Sequence, residues 1–135
     1  MTKMKSVYLG DLRVESEHLQ SGTRLVTDAP VDNAGKGASF SPTDLVAVAL
    51  GNCILTTMGI FAAKREIDIQ GATADVEKIM TAEPPRRIAE IRVRIQMPAK
   101  GYSDKEKLTL ERAAHTCAVH NTLHDALKID LEILW

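Results

Sequence analysis

The sequence predicts an α+β fold in a single domain that spans residues 1–135. Three observations carry this prediction. Strand-like segments are grouped before and after one long helical segment, without strict alternation of strands and helices. That helical segment, from Leu45 to Ala63, has no charged residue and follows a helix-capping sequence. A second capping sequence, Ser103 to Glu106, opens a later helix, and the predicted order is β-β-β-α-β-β-α-α-β.

The N-terminal part of the chain predicts three short strands and a loop. Val7 to Val14 and Arg24 to Asp28 are strand-like, and turn residues occur at Gly10-Asp11 and at Ser21-Gly22. Residues 29–39 predict a loop because turn-forming residues recur throughout this stretch. These residues are Pro30, Asp32, Asn33, Gly35 and Gly37.

The long helix begins at a recognisable start signal. Ser41 occupies the position of an N-cap, Pro42 that of the first helical residue, and Asp44 supplies the carboxylate of a capping box. Lys64 and Arg65 carry charges that suit the C-terminal end of a helix. The predicted helix therefore runs from Ser41 to about Lys64 and Arg65.

The uncharged part of this helix is long enough to raise the question of a membrane span. Small and polar residues interrupt it, no second span exists, and strand-like segments lie on both sides. These interrupting residues are Gly51, Asn52, Thr56, Thr57 and Gly59. We therefore predict a buried central helix and no membrane association. A helix that is apolar on most faces must be buried against other parts of the protein on all sides. Because the chain is so short, a partner subunit can supply part of the surface that buries it.

Two strands are predicted after the long helix. Ile67 to Val76 alternates between apolar and polar residues with a shift near Gly71, which indicates a bulge. Ile88 to Met97 alternates regularly, with one apolar and one polar face. Pro84-Pro85 breaks the chain between these two strands.

The C-terminal part predicts two helices and a final strand. The helix that opens at Ser103 has an apolar stripe of four residues, Leu110, Ala113, Ala114 and Cys117. A shorter helix is predicted around Asn121 to Leu127, and a strand from Ile129 to Trp135.

The charge balance and the N-terminus restrict the class of protein. Lysines and arginines number 17 and acidic residues 18, so no basic excess is available to hold the phosphates of a nucleic acid. Lys3 and Lys5 are not followed by an apolar run, so we expect no signal peptide and a cytoplasmic protein. In the cytoplasm, Cys53 and Cys117 are expected to be free thiols, metal ligands or a cycling redox pair rather than a permanent disulfide.

Both cysteines lie on apolar faces of their predicted helices. On an ideal helix, Cys53 shares a face with Leu50, Thr57 and Ile60. The simplest interpretation of each cysteine is a small buried apolar residue. Two cysteines that face inward from different helices can also meet, and the pattern alone leaves both interpretations open.

The histidines around Cys117 provide a different hypothesis. His115, Cys117, His120 and His124 have the spacing H-x-C-x2-H-x3-H, and His120 and His124 would share one helical face. Such a set can bind a soft metal ion. No second paired motif accompanies it, however, and histidines near helix ends are commonly solvated, so this metal site is the weaker hypothesis.

Two motifs together resemble the OsmC/Ohr family, which comprises osmotically inducible and organic hydroperoxide resistance proteins. Residues 40–53, FSPTDLVAVALGNC, resemble the family pattern of Ser-Pro, an acidic residue, Leu and an Ala/Leu-rich stretch that ends in Gly-x-Cys. Residues 117–123, CAVHNTL, resemble its second motif, Cys-Pro-Val followed by Ser/Thr-Leu. The order of the elements matches as well, so the resemblance covers essentially the whole chain.

The resemblance implies an OsmC-like fold in an intertwined homodimer, with both long helices in the interface and each active site built from both subunits. It also implies that Cys53 attacks the peroxide and that Cys117 resolves the resulting sulfenic acid as a disulfide. The implied substrates are organic hydroperoxides, and the implied reductant is a dithiol or a lipoyl-bearing protein. Neither a cofactor nor a metal ion is expected.

The family also uses an arginine from the N-terminal strands to lower the pKa of the thiol and to stabilise the departing alkoxide. Arg13 falls at the matching place, counted back from Gly22, and is preferred to Arg24 for this role. The chain departs from the family pattern in its second motif, since Ala118 stands where proline is usual.

A second departure concerns the carboxylate that orients the arginine. In well-characterised hydroperoxide reductases of the family it lies ten residues before the first cysteine, where this chain has Thr43. The possible carboxylate here is Asp44, nine residues before Cys53 and half a turn away from its face on an ideal helix. Asp44 is therefore better suited to capping the helix than to catalysis.

The resulting functional prediction is a thiol-dependent peroxidase that reduces organic hydroperoxides through Cys53 and Cys117 and serves in oxidative-stress defence. The main alternative is a non-catalytic protein of the same fold that binds a small ligand or acts in stress in another way. The departure at the carboxylate position favours this alternative.

Overall fold

The elements of the computed structural model, which describes Met1–Trp135, follow the predicted order and confirm an α+β fold. The six strands are β1 Met4–Gly10, β2 Arg13–His18, β3 Arg24–Thr27, β4 Thr73–Met80, β5 Ile88–Gln96 and β6 Lys128–Leu134. The three helices are α1 Pro42–Ala63, α2 Asp104–Ala114 and α3 Ala118–Leu123. The chain forms two compact units, Met1–Val46 and Ala47–Trp135, so that α1 begins in the first unit and continues in the second.

The first unit contains an antiparallel sheet with strand order β1-β2-β3. Tyr8 lies opposite Val14, and Val14 lies opposite Thr27. Gly10 has φ 89° and Asp11 has φ 51°, both in the left-handed region, which confirms the predicted turn between β1 and β2. This register determines which residues of β1 and β3 flank each residue of β2.

Glycine residues allow the loop after β3 to fold back on itself. The N–H groups of Gly35 and Gly37 donate to the carbonyl oxygens of Pro30 and Ala29 at N···O distances of 3.0 and 3.4 Å. A Cβ on Gly35 would lie 1.6 Å from the carbonyl oxygen of Ala29, so only glycine fits there. The loop is therefore a fixed structure rather than a simple connection.

The predicted capping box opens α1. The backbone N–H of Asp44 donates to the Ser41 hydroxyl at 3.1 Å, and the Asp44 carboxylate accepts from the backbone N–H of Ser41 at 2.8 Å. The helix ends at Ala63, just before the predicted end. Glu66 adopts a left-handed φ of 56°, and the N–H of Ile67 donates to the carbonyl oxygen of Ala62. This closure terminates the helix.

One face of α1 belongs to the core of the second unit. Its buried residues recur every three or four positions: Ala47, Leu50, Gly51, Ile54, Met58 and Ala62. At Gly51 the helix approaches β4 so closely that a Cβ would lie 2.7 Å from Cγ2 of Val76. By length and composition alone this helix could span a membrane, and one third of its most apolar window is buried within the chain. The buried stripe supports its prediction as a core helix.

The second sheet has the order β4-β5-β6, with β4 antiparallel and β6 parallel to β5. Ile91, Val93 and Ile95 of β5 are fully buried, as the alternating pattern predicts. The opposite face carries ion pairs, among them one between Arg94 and Asp130 with an N···O distance of 2.9 Å.

The predicted start of β4 is wrong, because Ile67 to Ala72 do not form a strand. The carboxylate of Asp68 accepts from the N–H of Gln70 at 2.9 Å, and Gly71 has φ 94°. These features form a turn, and pairing with β5 begins only at Thr73. The apolar Ile67 and Ile69 still pack against the core, from the turn rather than from a strand.

The helix boundaries around Cys117 also differ from the prediction. The capping box at Ser103 and Glu106 is confirmed, but α2 ends at Ala114, before Cys117. The backbone N–H and the hydroxyl of Thr116 both donate to the carbonyl oxygen of Ala113 and close the helix. Cys117 then adopts an extended backbone with ψ 147° and opens α3, which begins three residues earlier than predicted.

Candidate active site

Cys53 lies near the middle of α1 and is half-buried. Gly51, two residues earlier, allows this part of the helix to lie against β4. Thr57, one turn further along the same helical face, directs its side chain to the Cys53 sulfur as a hydrogen-bond partner. The long helix thus fixes both the position and one polar contact of this thiol.

Cys117 lies at the junction between α2 and α3 and is 1% exposed. Its sulfur accepts a hydrogen bond from the backbone N–H of His120 at an N···S distance of 3.2 Å, in the manner of an N-cap. The extended backbone at this residue brings the thiol to the start of α3 rather than to the end of α2.

The structure brings the two cysteines together as free thiols. The thiol of Cys117 donates a hydrogen bond to the sulfur of Cys53, which also accepts from the backbone N–H groups of Val119 and Ala118. The sequence pattern left open whether these inward-facing cysteines meet. Their meeting depends on the tight turn at Thr116, which aims the start of α3 at the middle of α1.

The surroundings of the two thiols lower the pKa of Cys53 and raise the pKa of Cys117. Desolvation favours the neutral form of Cys53, but hydrogen bonds from Val119, Cys117, Thr57 and Ala118 outweigh it and lower the pKa of Cys53. Burial raises the pKa of Cys117, and its hydrogen bond to Cys53 and the charge of the Cys53 thiolate raise it further, against the N–H of His120. Of the two, Cys53 is therefore the better nucleophile.

Ala118, at the position where the motif that this sequence resembles has proline, contributes a donor that proline lacks. Its backbone N–H donates to Cys53, and a proline at this first position of α3 would have no N–H. Cys117 itself remains held by the N–H of His120. The departure from the family motif thus adds a polar contact to the thiolate and leaves the partner thiol fixed.

Ala118→Pro is expected to raise the pKa of Cys53, because it removes one N–H donor and proline is well tolerated at a first helical position. The measurement is the pH dependence of alkylation at Cys53, read by mass spectrometry of the reduced protein. Ala118→Gly, which retains the N–H, is the control and should leave that profile in place. An unchanged profile in Ala118→Pro would remove the Ala118 N–H from the list of groups that stabilise the thiolate.

The two arginine candidates in the first unit have different surroundings. Arg24 is exposed and forms ion pairs with Glu15 and Glu17 at N···O distances of 3.4 and 3.2 Å. Arg13 is half-buried at the start of β2, next to the turn that follows β1, and its charge acts on Asp28. Arg13 thus differs from Arg24 in its partial burial and in its charge, which helps to lower the pKa of the buried Asp28.

Asp44 caps α1 through the backbone N–H of Ser41, as the sequence predicts. The position ten residues before Cys53 belongs to Thr43, whose hydroxyl lies 3.1 Å from that of Ser41. The Asp44 carboxylate therefore has a capping role at the start of α1.

The three histidines near Cys117 form a row of rings. His115 and His120, and then His120 and His124, meet edge to face with ring centroids 5.9 Å apart in each pair. Burial lowers the pKa of His120, and electrostatic repulsion from the neighbouring His115 and His124 rings lowers it further. No group of three or more potential ligands in the chain is arranged to hold a metal ion.

Sequence reasoning missed several groups around the site. The donors from Val119 and Ala118 are backbone groups, which side-chain patterns do not reveal. Thr57 was placed on the face of Cys53, but nothing in the pattern assigned it a contact.

Comparison with known proteins agrees with this arrangement. Residues 35–132 match the family described as OsmC-like protein. A crystal structure from Psychrobacter arcticus 273-4, of a candidate osmotic stress induced and detoxification response protein, has 45% sequence identity and a TM-score of 0.91, covering 98% of this chain and 96% of that one. The chain belongs to the OsmC-like family.

More distant OsmC-like structures share the fold. An organic hydroperoxide resistance protein OsmC from Legionella pneumophila has 18% identity and a TM-score of 0.79, with 100% of this chain and 97% of that one covered. The organic hydroperoxide resistance protein OhrB of Bacillus subtilis has 16% identity and a TM-score of 0.71, with 98% and 97% covered. Comparison with curated proteins gives no significant match.

Proposed function

We propose that this OsmC-like protein is a thiol-dependent peroxidase that reduces organic hydroperoxides, with Cys53 as the attacking and Cys117 as the resolving thiol. The observation that carries the proposal is the contact between the two thiols, in which the pKa of Cys53 is lowered and that of Cys117 is raised. A peroxidase needs a thiolate for attack and a second thiol within reach of the product.

The chemistry balances with these two residues and one reductant. The Cys53 thiolate attacks the terminal oxygen of the hydroperoxide, the O–O bond breaks, and the alkoxide takes a proton to leave as an alcohol. The sulfenic acid on Cys53 then condenses with the Cys117 thiol, which forms the S–S bond and releases water. A small dithiol or a dihydrolipoyl-bearing protein reduces the disulfide to two thiols and is itself oxidised.

Distant relatives named for organic hydroperoxide resistance support the substrate class, and the osmotic stress and detoxification description of the Psychrobacter relative supports a role in stress defence. A cytoplasmic location would suit the proposal, because there the thiol pair is returned to its reduced form. The proposal requires no cofactor, metal ion, nucleic acid or membrane.

The direct test is the fate of the two thiols after peroxide is added. One equivalent of cumene hydroperoxide should remove both free thiols and two hydrogens from each chain, and a dithiol should restore both. Free-thiol titration and intact mass give these quantities. If both thiols persist and no peroxide is consumed, the peroxidase proposal is wrong, and the alternative of a non-catalytic ligand-binding protein on this fold takes its place.

Arg13→Ala is expected to slow the reaction of Cys53 with peroxide by at least about tenfold, which corresponds to about 1.4 kcal/mol. The reason is that a cation must stabilise both the thiolate and the departing alkoxide. The second-order rate constant with cumene hydroperoxide is the measurement. Arg24→Ala, which removes an exposed arginine already paired with Glu15 and Glu17, is the control and should be near wild type. A normal rate in Arg13→Ala would take this role away from Arg13.

We also propose a homodimer, because much apolar surface lacks cover within one chain. Ile60 and Val46 of α1 are 51% and 39% exposed, and only a third of the most apolar window of α1 is buried. The first sheet leaves further large apolar side chains exposed, Met4, Val7, Tyr8, Leu9 and Leu25. Exposed apolar surface of this extent is typical of a protein that pairs with another subunit.

The expected result is a dimer that persists at micromolar concentration in sedimentation analysis. Replacement of Ile60 by Glu should weaken it, because a charge at an apolar interface is not compensated. Glu substitution of Ala82, an exposed residue after β4, is the control. A stable, folded wild-type monomer near 14.8 kDa would contradict this proposal.

A further inference from the structure

A hydrogen-bonded proton lies between the two sulfur atoms of the candidate site. The Cys117 thiol donates this hydrogen to the sulfur of Cys53, and both residues belong to the second unit. Cys117 is 1% exposed, and its sulfur also accepts from the backbone N–H of His120 at an N···S distance of 3.2 Å. When Cys53 is a thiolate, this enclosed S–H is therefore a proton donor in contact with the atom that attacks the peroxide.

The first step of a peroxidase reaction benefits from such a donor. When a thiolate breaks the O–O bond of an organic hydroperoxide, the leaving group is an alkoxide, which is a strong base. An acid that gives up its proton as the bond breaks accelerates a step of this kind by a factor of about 10²–10⁴. The acid must lie close to the reacting atoms, so the groups that contact the Cys53 sulfur are the first to consider.

The side chains that donate a hydrogen bond to the Cys53 sulfur are those of Cys117 and Thr57, and they differ in acidity. The Thr57 hydroxyl is an alcohol, so it is no better an acid than the alcohol that the reaction forms. A thiol is a far stronger acid than an alcohol. The ring of His120 is directed elsewhere, because its buried Nδ1 has no hydrogen-bond partner and its side chain is hydrogen-bonded to Asn121. Cys117 is therefore the side-chain acid at the reacting sulfur.

Attack by Cys53 also makes the Cys117 proton easier to release. Burial raises the pKa of Cys117, and the hydrogen bond to Cys53 and the charge of the Cys53 thiolate raise it further. The last two causes end when Cys53 becomes a neutral sulfenic acid. The N–H groups of His120 and Val119 remain and stabilise a thiolate at Cys117. Oxidation of Cys53 thus lowers the pKa of Cys117 at the stage when a second thiolate is needed.

We propose that Cys117 is the general acid of the first step as well as the resolving thiol of the second, an inference that rests on the peroxidase function proposed above. As the Cys53 thiolate attacks the terminal oxygen and the O–O bond breaks, the Cys117 proton passes to the alkoxide, which leaves as an alcohol. The Cys117 thiolate then attacks the sulfur of the sulfenic acid and forms the S–S bond. The hydroxide that leaves takes a proton from solvent and becomes water. The two sulfurs together supply the two electrons that reduce the peroxide.

The test compares two oxidants whose leaving groups differ in basicity. Cumene hydroperoxide releases an alkoxide, which needs a proton, whereas peracetic acid releases acetate, which does not. Cys117→Ser keeps a hydroxyl that can donate to Cys53 and accept from the His120 N–H, but it removes the acid. We expect the rate constant of Cys53 oxidation to fall at least about tenfold with cumene hydroperoxide and less than about twofold with peracetic acid. The measurement is the loss of oxidant supplied below one equivalent per chain, to which the resolving step does not contribute.

Thr57→Val is the matched comparison, because it removes a hydrogen bond from the same sulfur without removing an acid. It should change the rates with both oxidants by the same factor, since it acts only on the nucleophile. Cys53→Ser gives an independent readout of the release of the Cys117 proton. Cys117 should then titrate at lower pH than the more basic thiol of the wild type, followed by the ultraviolet absorbance of the thiolate. An unchanged titration would contradict the coupling between the two thiols.

The outcomes distinguish this inference from the peroxidase proposal. If the wild type consumes no cumene hydroperoxide, both fall. If the wild type is active, but Cys117→Ser keeps its rate with both oxidants or loses the same factor with both, the alkoxide takes its proton from another source. The inference is then wrong and the peroxidase stands. Circular dichroism checks that each variant is folded. Should Cys117→Ser unfold, Cys117→Ala takes its place, and the same contrast between the two oxidants is expected.

Discussion

Cys53→Ser is expected to abolish peroxide consumption, with a fall in rate of at least about a hundredfold. A serine hydroxyl is not ionised at neutral pH and does not attack the O–O bond. The remaining thiol, Cys117, is 1% exposed and has a raised pKa because of burial, so it is poorly suited to replace Cys53. The measurement is the loss of cumene hydroperoxide in the presence of a dithiol.

The pH dependence of the wild-type reaction provides a second check on the same residue. Since the hydrogen bonds around Cys53 lower its pKa, the thiolate should persist to lower pH than in an ordinary cysteine. The rate should therefore rise with pH through the pKa of Cys53 and reach a plateau below the ordinary range of thiol titration. Full peroxide consumption by Cys53→Ser would transfer the attacking role away from Cys53.

The sequence predicted those parts of the fold that are decided locally. Both capping boxes, at Ser41 and at Ser103, formed as expected because their hydrogen bonds join residues three positions apart. The alternation of β5 predicted its buried face for a similar reason, since one side of a strand must face the core. Such features depend on neighbouring residues and on hydrophobicity alone.

The errors arose where one backbone contact overrides a pattern. The apolar alternation of residues 67–76 predicted a strand, but the turn at Asp68 and Gly71 delays pairing until Thr73. The apolar stripe of α2 was extended to Cys117, although Thr116 closes the helix first. Both segments remain in the core, so the hydrophobic pattern was informative about burial and misleading about backbone conformation.

The candidate site was only partly predictable for a related reason. The two cysteines that meet in the structure were singled out by their motifs, because a motif is a property of side chains. Two further features follow from the backbone, namely the N–H groups of Val119 and Ala118 that donate to Cys53. Neither can be inferred from residue type before the turns and strand ends are known.

Cys117→Ser should separate the two steps of the proposed reaction. Serine retains an oxygen that can accept the N–H of His120, so α3 should keep its start. Cys53 can still attack, and we expect each chain to consume about one peroxide and then stop. The sulfenic acid on Cys53 has no resolving thiol within the chain, so excess peroxide should oxidise it to sulfinic and sulfonic acids, which thiols do not reverse.

Intact mass distinguishes this variant from the wild type. Cys117→Ser should gain oxygen atoms at Cys53, whereas the wild type should lose two hydrogens and recover them with a dithiol. A disulfide also requires Cα atoms roughly 4.4–6.8 Å apart, a condition that the hydrogen bond between the two thiols favours. Repeated turnover by Cys117→Ser with a dithiol, without oxygen accumulating at Cys53, would mean that an external thiol resolves the sulfenic acid. Cys117 would then serve to stabilise the Cys53 thiolate rather than to form a disulfide.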